Sequence, residues 1–368
     1  MKKVLGKKDH FKSRNIYINF LIFAIGVTFF ELFLGDWLKD NNLNHLMLIR
    51  NSDWVFRMVD DHPYPYDKKY IHYSRDQWGL RGESFKNPSD VRMLTVGGSA
   101  TDQRYINEGE TWQDVMATTL KDRGIDFPVA NAGIDGHSTF GHILALQTWL
   151  KQIEELEPEF IGFYVGVNDL RRRQATEYDM NLGYYYDDGL HFIRKIMQKS
   201  AFYHLFRVIN GVLVAKSKKA GHTKVDFSAL NWKAETWNRR KIEEYSDENR
   251  KALDQYASRL ELLCTLTRTF GSTPVYITQA SSRGFDHGKQ FEYSRDFGNE
   301  FVYMLRVFNN ATMNVCQQCS GAICIDMARE LRFVSSDYYD TAHNTPAGAK
   351  KIGRYLANKM AGIVGSAR

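Results

Sequence analysis

The sequence has few cysteines, no internal repeat and no broad excess of charge. Four cysteines in 368 residues exclude a fold built on a disulfide framework. The formal net charge is +6, but six basic residues against the single acidic Asp9 fall within the first fourteen residues. The rest of the chain is therefore close to neutral, which excludes the broad basic surface of a nucleic-acid-binding protein.

Phosphate-binding loops and zinc-ligand sets are also missing. Gly97-Gly98-Ser99 lacks the downstream glycine and lysine of a phosphate cradle. Cys316 and Cys319 form a C-x-x-C, but two further ligands at zinc spacing do not accompany them. With Cys324 inside an apolar run, a core thiol or a disulfide in an oxidising compartment is the better interpretation. We therefore expect no metal and no cofactor, and the pairing of the cysteines, Cys264 included, stays open.

The overall amino-acid composition is that of an ordinary globular protein. Apolar residues make up 43% of the chain and charged residues 25%, which excludes wholesale disorder. The length suits one large domain or two ordinary ones.

The longest apolar run covers residues 16–34 (IYINFLIFAIGVTFFELFL). It carries one charge, Glu31, and as a helix it would span about 28 Å, roughly one hydrocarbon core. The positive-inside rule then makes residues 1–14 a cytoplasmic basic head and residues 15–38 a transmembrane anchor, with the rest exported. A cleaved signal peptide is the main alternative, although its apolar region is usually shorter and followed by a small-residue cleavage site. A buried core helix is disfavoured by the basic flank and the lack of amphipathic alternation.

After a polar and aromatic juxtamembrane lead-in over residues 39–90, short apolar runs alternate with helical patterns. The runs are bounded by Gly or Pro, as buried parallel strands tend to be, and they are residues 91–96, 128–132, 160–165, 274–278 and 322–327. Helical patterns cover about residues 111–124, 139–156, 247–270, a stretch ending near 319, and 346–364. This alternation predicts an α/β domain over residues 91–368, with a doubly wound, five-stranded parallel sheet flanked by helices in three layers, as in flavodoxin-like folds.

Ligands bind beyond the carboxyl ends of the strands in such sheets, and polar blocks follow three of the predicted strands. They are residues 97–101 (GGSAT), 131–136 (NAGIDG) and 166–169 (GVND), joined near the C-terminus by residues 340–343 (DTAH) and Gly348. In this order, the four blocks resemble the SGNH (GDSL-type) hydrolase superfamily over about residues 91–348. The resemblance implies an SGNH-hydrolase fold and a serine esterase activity.

The residue types support the same chemistry by themselves. A serine hydroxyl needs an adjacent base, and the base needs an orienting group. Ser99 follows two glycines that permit a tight turn at a strand end, and Asp340 lies three residues before His343 on one loop, so a Ser-His-Asp triad is predicted. The resemblance assigns the oxyanion donors to the backbone N–H groups of Ser99 and Gly133 and to the side-chain amide of Asn168.

Each block alone has a plainer explanation as a turn or a helix-capping loop, and only their joint occurrence favours catalysis. The usual first block of the family is Gly-Asp-Ser-Leu, whereas here Gly98 and Ala100 flank the serine. The nucleophile is kept, but the subfamily and the substrate become doubtful. Gly-Gly-Ser versions preceded by a membrane segment look like bacterial envelope proteins. We therefore expect a single-pass protein of the bacterial inner membrane with a periplasmic catalytic domain.

A long insertion, about residues 171–246, leaves the sheet after the third predicted strand. Its early part is aromatic and acidic and contains Tyr184, Tyr185 and Tyr186, which can stack on sugar rings. Its later part, residues 200–219, has the pattern of an amphipathic helix. We hypothesise a substrate-binding cap that selects acylated carbohydrate. The plainer alternative is that the helix packs on the sheet and the tyrosines are ordinary loop residues.

The sequence thus predicts a membrane-anchored serine esterase that hydrolyses acyl esters, O-acetyl esters foremost. The expected partners are an acylated small molecule or polysaccharide as substrate and the membrane, not nucleic acid; the oligomeric state stays open. An O-acyltransferase acting on a glycan would use the same triad and is the alternative among enzymes. The alternative of another class is a non-catalytic binding or scaffold protein of the envelope.

Overall fold

The structure is a computed structural model that describes residues 6–35, 37–38, 48–57, 70–171, 225–365 and ten positions between 196 and 209. The chain divides into two compact units. One unit comprises residues 1–47 and 182–221, and the other comprises residues 48–181 and 222–368.

In the first unit, the N-terminal segment forms the helix α1 (Gly6–Leu34). Its part Ile16–Leu34 has a mean hydropathy of 2.0 and is long and apolar enough to cross a membrane. Most side chains of this part are exposed and none is buried, so no packed core accounts for its apolar composition.

The described residues of the second unit contain ten strands, which form three sheets. They are β1 (Ser52–Arg57), β2 (Tyr70–Arg75), β3 (Met93–Gly97), β4 (Val129–Asn131), β5 (Phe160–Val165), β6 (Trp232–Thr236), β7 (Thr273–Thr278), β8 (Gly284–Asp286), β9 (Gln290–Ser294) and β10 (Ile323–Ile325). The central sheet has five parallel strands in the order β10-β7-β5-β3-β4. Two small antiparallel sheets accompany it, with the orders β1-β2 and β6-β9-β8.

Helices cover both faces of the central sheet and make three layers. They are α2 (Ser99–Asp102), α3 (Trp112–Lys121), α4 (Thr139–Gln147), α5 (Val167–Arg171), α6 (Arg239–Glu248), α7 (Arg250–Thr269), α8 (Glu300–Gln318), α9 (Met327–Glu330) and α10 (Pro346–Gly365). Single 3-10 turns lie at Pro88–Asp90, Leu150–Gln152, Phe227–Ala229 and Ser335–Asp337.

The alternation of side chains along the strands divides the core between these layers. On one face, Met93 and Val275 belong to a buried cluster that also contains residues of α3 and α10. On the other face, the Phe163 and Tyr276 rings lie 5.6 Å apart, and the Tyr276 hydroxyl donates to the Leu260 carbonyl of α7 at 2.7 Å. The predicted doubly wound five-stranded parallel sheet is confirmed.

One helical prediction needs correction. The pattern over residues 139–156 is α-helical only to Gln147, since the backbone of Thr148 leaves the helical region, and a single 3-10 turn follows at Leu150–Gln152. The pattern over residues 247–270 forms α7, which begins at Arg250. The backbone of Asn249 is non-helical, and its side-chain amide donates to the Tyr245 carbonyl of α6 at 2.9 Å, so Asn249 separates the two helices.

Strands also occur where none were predicted. The first antiparallel pair, β1 and β2, lies within the lead-in, and β6 lies within the insertion. β2 alternates buried and exposed positions with period two, so Ile71, Tyr73 and Arg75 all face the protein interior. The sequence YIHYSR of β2 alternates in the same way, and this pattern could have predicted the strand.

Both pairs of cysteines are disulfide-bonded. Cys264 of α7 joins Cys319, and Cys316 of α8 joins Cys324 of β10. The two cysteines of the C-x-x-C are therefore not joined to each other. The bonds tie two adjacent helices and an edge strand of the central sheet together.

Candidate active site

Four loops meet at the carboxyl ends of the central strands, and they bring a serine, a histidine and an aspartate into one hydrogen-bonded line. Ser99 follows β3 and begins the short helix α2. Its Oγ lies 2.6 Å from Nε2 of His343, and Nδ1 of His343 lies 2.6 Å from Oδ2 of Asp340. The imidazole can thus donate Nδ1–H to the carboxylate and accept the serine proton at Nε2.

The Asp340 carboxylate is divided between two tasks. Oδ1 accepts the backbone N–H groups of Ala342 and His343 at 2.8 and 2.7 Å, which folds the loop back on itself, while Oδ2 faces the imidazole. Burial works to raise the pKa of Asp340, but the hydrogen bond and charge of His343 and the two backbone donors hold it below its ordinary value. Asp340 therefore stays ionised at neutral pH.

The loop that carries Asp340 and His343 is fastened by two serines that follow β7. The Ser282 hydroxyl donates to the Asp340 carbonyl at 2.7 Å, and the Ser281 hydroxyl donates to the Thr341 carbonyl at 2.6 Å. The Tyr339 ring stacks on the His343 ring, with centroids 5.7 Å apart. Sequence reasoning missed these three positioning residues, because nothing in a serine pair after a strand indicates which loop it will meet.

The turn before Ser99 has no space for a side chain at Gly98. A Cβ at Gly98 would overlap the Asn168 amide and would lie 2.7 Å from the His137 carbonyl oxygen. Asn168, which follows β5 in α5, donates from Nδ2 to that same carbonyl at 2.8 Å. The absence of a side chain at Gly98 therefore lets the Asn168 amide lie directly against the backbone beside Ser99.

The three predicted oxyanion donors differ in their availability. The Ser99 N–H lies in the first turn of α2, where it has no acceptor within the helix. Asn168 uses one of its two N–H bonds for the His137 carbonyl and keeps the other. The Gly133 N–H donates to Oδ1 of Asn131 at 2.9 Å, so this donor already has an acceptor.

A small cleft of about 10 Å³ lies beside Ser99. Ser99 and Asn168 line it together with Tyr164, Gln279 and Ala342. A wider cavity of about 590 Å³ is lined by residues that precede β3 and β4, at the amino ends of the strands, and contains none of the predicted site residues. The cleft beside Ser99 thus lies at the carboxyl ends of the central strands, where ligands bind in parallel sheets.

A buried charge network beside Ser99 was not predicted from the sequence. Arg75 of β2 donates from Nη2 to Oδ1 of Asp102 at 2.6 Å and to the Gly133 carbonyl at 2.5 Å. Burial opposes ionisation of Asp102, but Arg75, with Arg104 and Arg81 in support, holds its pKa below the ordinary value. This arginine thus ties the end of α2 to the loop that contains Gly133.

A second arginine completes the network. Arg81 donates to the Asp102 and Gln103 carbonyls at 2.6 and 2.9 Å, and its Nε donates to Glu108 at 2.8 Å. The backbone of Gln103 is left-handed, with φ 52°, so the chain turns sharply just after α2. Arg81 satisfies the carbonyls exposed by that turn.

Another ion pair holds α5 in place. Asp169, next to Asn168, accepts the Thr139 hydroxyl at 2.5 Å and the Arg259 guanidinium at 3.3 Å. Because Asp169 is fully buried, these partners are required to keep its charge. Helices α4, α5 and α7 are thereby joined around the predicted oxyanion amide.

The remaining predicted site residues, Tyr184, Tyr185 and Tyr186, lie outside the described residues. Among the residues that the structure describes, no group of three or more His, Cys, Asp or Glu side chains is placed to hold a metal ion.

The comparisons with known proteins give structural neighbours at low identity. No family model matches the sequence, and no curated protein matches it. TesA superposes with a TM-score of 0.41 and 13% identity over 73% of this chain and 97% of its own. Axe2, an acetylxylan esterase from Geobacillus stearothermophilus, gives 0.41 and 12% over 73% and 92% of the two chains. The acetyl xylan esterase AlAXEase gives 0.41 and 14% over 74% and 99%. With TM-scores of 0.41 and identities of 12–14%, these similarities add nothing to what the geometry of the site indicates.

Proposed function

We propose that this protein is a membrane-anchored serine esterase that hydrolyses small acyl esters, O-acetyl esters foremost, on envelope or extracellular carbohydrate. The observation that carries the proposal is the unbroken line from Ser99 Oγ through His343 to Asp340, with both hydrogen bonds 2.6 Å long. Nucleophile, base and orienting carboxylate are within direct reach, as acyl transfer through a serine requires.

In the acylation step, Ser99 Oγ attacks the ester carbonyl carbon while Nε2 of His343 takes the hydroxyl proton. The carbonyl π pair moves to oxygen and makes a tetrahedral oxyanion. When the oxyanion collapses, the C–O bond to the alcohol breaks, and the leaving alkoxide takes the proton back from Nε2. Asp340 keeps its charge throughout and stabilises the imidazolium. Water then repeats the sequence on the acyl-enzyme and releases the acid.

The oxyanion is held by the Ser99 N–H and the second N–H of the Asn168 amide. The Gly133 N–H keeps its place and is shared between Oδ1 of Asn131 and the oxyanion, because a full negative charge is a stronger acceptor than an amide oxygen. The buried network of Arg75 and Asp102 keeps the two backbone donors at a fixed separation while this happens.

The cleft beside Ser99, of about 10 Å³, has room for about one water molecule on this measure, which is compatible with the methyl group of an acetyl ester. On the alcohol side of the ester, we propose a glycan that Tyr184, Tyr185 and Tyr186 contact. An acylated glycan is also compatible with the aromatic and acidic composition of that stretch.

Two features support an exported domain on a membrane anchor. The part of α1 from Ile16 to Leu34 is apolar and unpacked, and it follows a basic segment. Both pairs of cysteines are oxidised, which is usual outside the reducing cytosol.

The test uses the full chain, purified in detergent, with soluble acetyl, butyryl and longer esters and an acetylated polysaccharide. We expect turnover to be highest for acetyl and to vanish in Ser99→Ala, whereas Asn168→Ala loses about 10²–10³-fold. Ser258→Ala is the matched control, because Ser258 lies exposed on α7. Free acetate marks hydrolysis, and acetyl transfer to an added glycan marks the transferase. Unchanged turnover in Ser99→Ala would refute the proposal.

A further inference from the structure

Near its end, the apolar span contains an acidic side chain, Glu31, whose two carboxylate oxygens both accept hydrogen bonds. Glu31 lies three residues before the end of the span, where an unpaired carboxylate in lipid would be costly. Its two oxygens accept four hydrogen bonds, of 2.7 to 3.3 Å, from the Trp37 indole, the Ser200 hydroxyl and the backbone N–H groups of Ala201 and Phe202. The carboxylate is therefore a fixed link between two segments distant in sequence.

This link caps the start of a second helical segment. The described positions 201–203, 205–206 and 209 are helical, and the first backbone N–H groups of a helix have no partner within it. Glu31 supplies the acceptors, with a negative charge at the favourable end of the helix dipole. The Phe30 and Phe202 rings lie 4.8 Å apart and add an apolar contact to the polar one.

The segment attached in this way presents an apolar face to its surroundings. We call the ten described positions between 196 and 209 the amphipathic segment. Six of them are apolar side chains that are more than two-fifths exposed: Ile196, Met197, Phe202, Leu205, Phe206 and Ile209. The last four follow the spacing i, i+3, i+4, i+7, so they share one side of a helix. Such a continuous apolar face is unfavourable in water.

We propose that the amphipathic segment lies in the boundary between lipid headgroups and acyl chains, and that acyl chains of the bilayer cover its apolar face. This inference rests on the proposed membrane anchor. Continuity with the span favours lipid as the occupant, because Phe33 at the end of the span is exposed on the same unit and Glu31 fixes the segment to that end. Trp37, bonded to the same carboxylate, is of the residue type that prefers the interface.

Within the insertion, the apolar face formed by Phe202, Leu205, Phe206 and Ile209 thus contacts lipid and is not available to substrate. The esterase would then be held to the membrane at two points of its chain, which restricts it to substrates near the bilayer surface.

The experiment places one nitroxide label at a time on the full chain in phosphatidylethanolamine–phosphatidylglycerol vesicles. All four native cysteines are in disulfides, so one added cysteine takes the label alone. Phe206→Cys reports on the amphipathic segment, and Leu262→Cys on α7 is the matched control. Both native side chains are apolar and exposed, by 62% and 39%. Phe23→Cys, at a position 68% exposed, reports on the span. The readout is the collision of each label with oxygen, which enters lipid, and with a polar nickel chelate, which does not.

We expect the oxygen-to-nickel ratio at position 206 to exceed that at 262 about tenfold, because excluding a polar chelate by only about 1.4 kcal/mol gives that factor. Adding Glu31→Ala should lower the ratio at 206 and leave that at 23 unchanged. A nickel-accessible label at 206 would place the face in water. A label closed to both reagents would place it against protein, either a second copy or another segment. Either result overturns the inference, while a nickel-accessible label at 23 overturns the anchor itself.

Discussion

An Asp340→Asn substitution should reverse the tautomer of His343. In the wild type, Oδ2 of Asp340 accepts Nδ1–H of His343 at 2.6 Å, and Oδ1 accepts two backbone N–H groups at 2.7 and 2.8 Å. Two backbone donors require an oxygen at the Oδ1 position, so the amide nitrogen of the new side chain must take the Oδ2 position. There it donates to Nδ1, and the ring proton moves to Nε2.

The substitution should lower turnover strongly and reduce the free energy of unfolding only moderately. With a proton on Nε2, His343 faces Ser99 Oγ, 2.6 Å away, as a donor and cannot take its proton. Turnover should fall about 10⁴-fold, which corresponds to about 5.4 kcal/mol of activation free energy. Folding loses one charge-assisted hydrogen bond, about 1.5–3 kcal/mol, because the two backbone contacts survive. A domain of ordinary stability withstands this loss.

The assay is the initial rate on a small soluble acetyl ester, with thermal unfolding by circular dichroism as the test of folding. Asp254→Asn is the matched control, since Asp254 is exposed on α7 and away from the site. The control should keep wild-type turnover. A folded Asp340→Asn protein that loses less than tenfold would show that the carboxylate does not set the tautomer.

Three further predictions concern the surroundings of the nucleophile and the disulfides. Gly98→Ala should lower turnover about 10²–10³-fold with little change in KM, because the added methyl displaces the oxyanion amide. Arg75→Met should lower the free energy of unfolding by about 3 kcal/mol, because the buried Asp102 loses its closest charged partner and is left with the more distant Arg104, at 3.6 Å, and the Tyr73 hydroxyl. The pKa of Asp102 is lowered in the fold, so this stability is present above about pH 4 and disappears as pH falls through the folded pKa. Replacing Cys264 and Cys319 by serine should cost about 4 kcal/mol, from a closed loop of 55 residues.

Each of these has a result that would contradict it. Wild-type turnover in Gly98→Ala would show that the Asn168 amide is not an oxyanion donor. For Arg75→Met, denaturant unfolding between pH 3 and 7 should show a flatter acid dependence than the wild type, and addition of Asp102→Asn should restore part of the stability. If the stability of Arg75→Met depended on pH as that of the wild type does, this would contradict a stabilising ion pair between Arg75 and Asp102. An unaltered unfolding midpoint after loss of the 264–319 disulfide would show that it does not restrict the unfolded chain.

The sequence by itself determined the central sheet and predicted which serine, histidine and aspartate come together. The run over residues 160–165 is a strand with the predicted bounds, since a short apolar segment between turn residues can be buried on both faces only as a central strand. Asp340 and His343 lie three residues apart, so their contact depends on one short loop. Ser99 reaches them because the carboxyl ends of parallel strands share one edge.

Only the tertiary structure decided what surrounds those groups. Arg75 and Arg81, upstream of the first central strand, meet the loops after β3 and β4, and four cysteines allow three pairings of which the fold selects one. Asn249 ends one helix and begins the next against its apolar pattern. The reason is common to all of these features. Periodicity records which side chains are buried within a segment, whereas a buried charge, a disulfide or a cap needs a partner whose position is set by how distant segments pack.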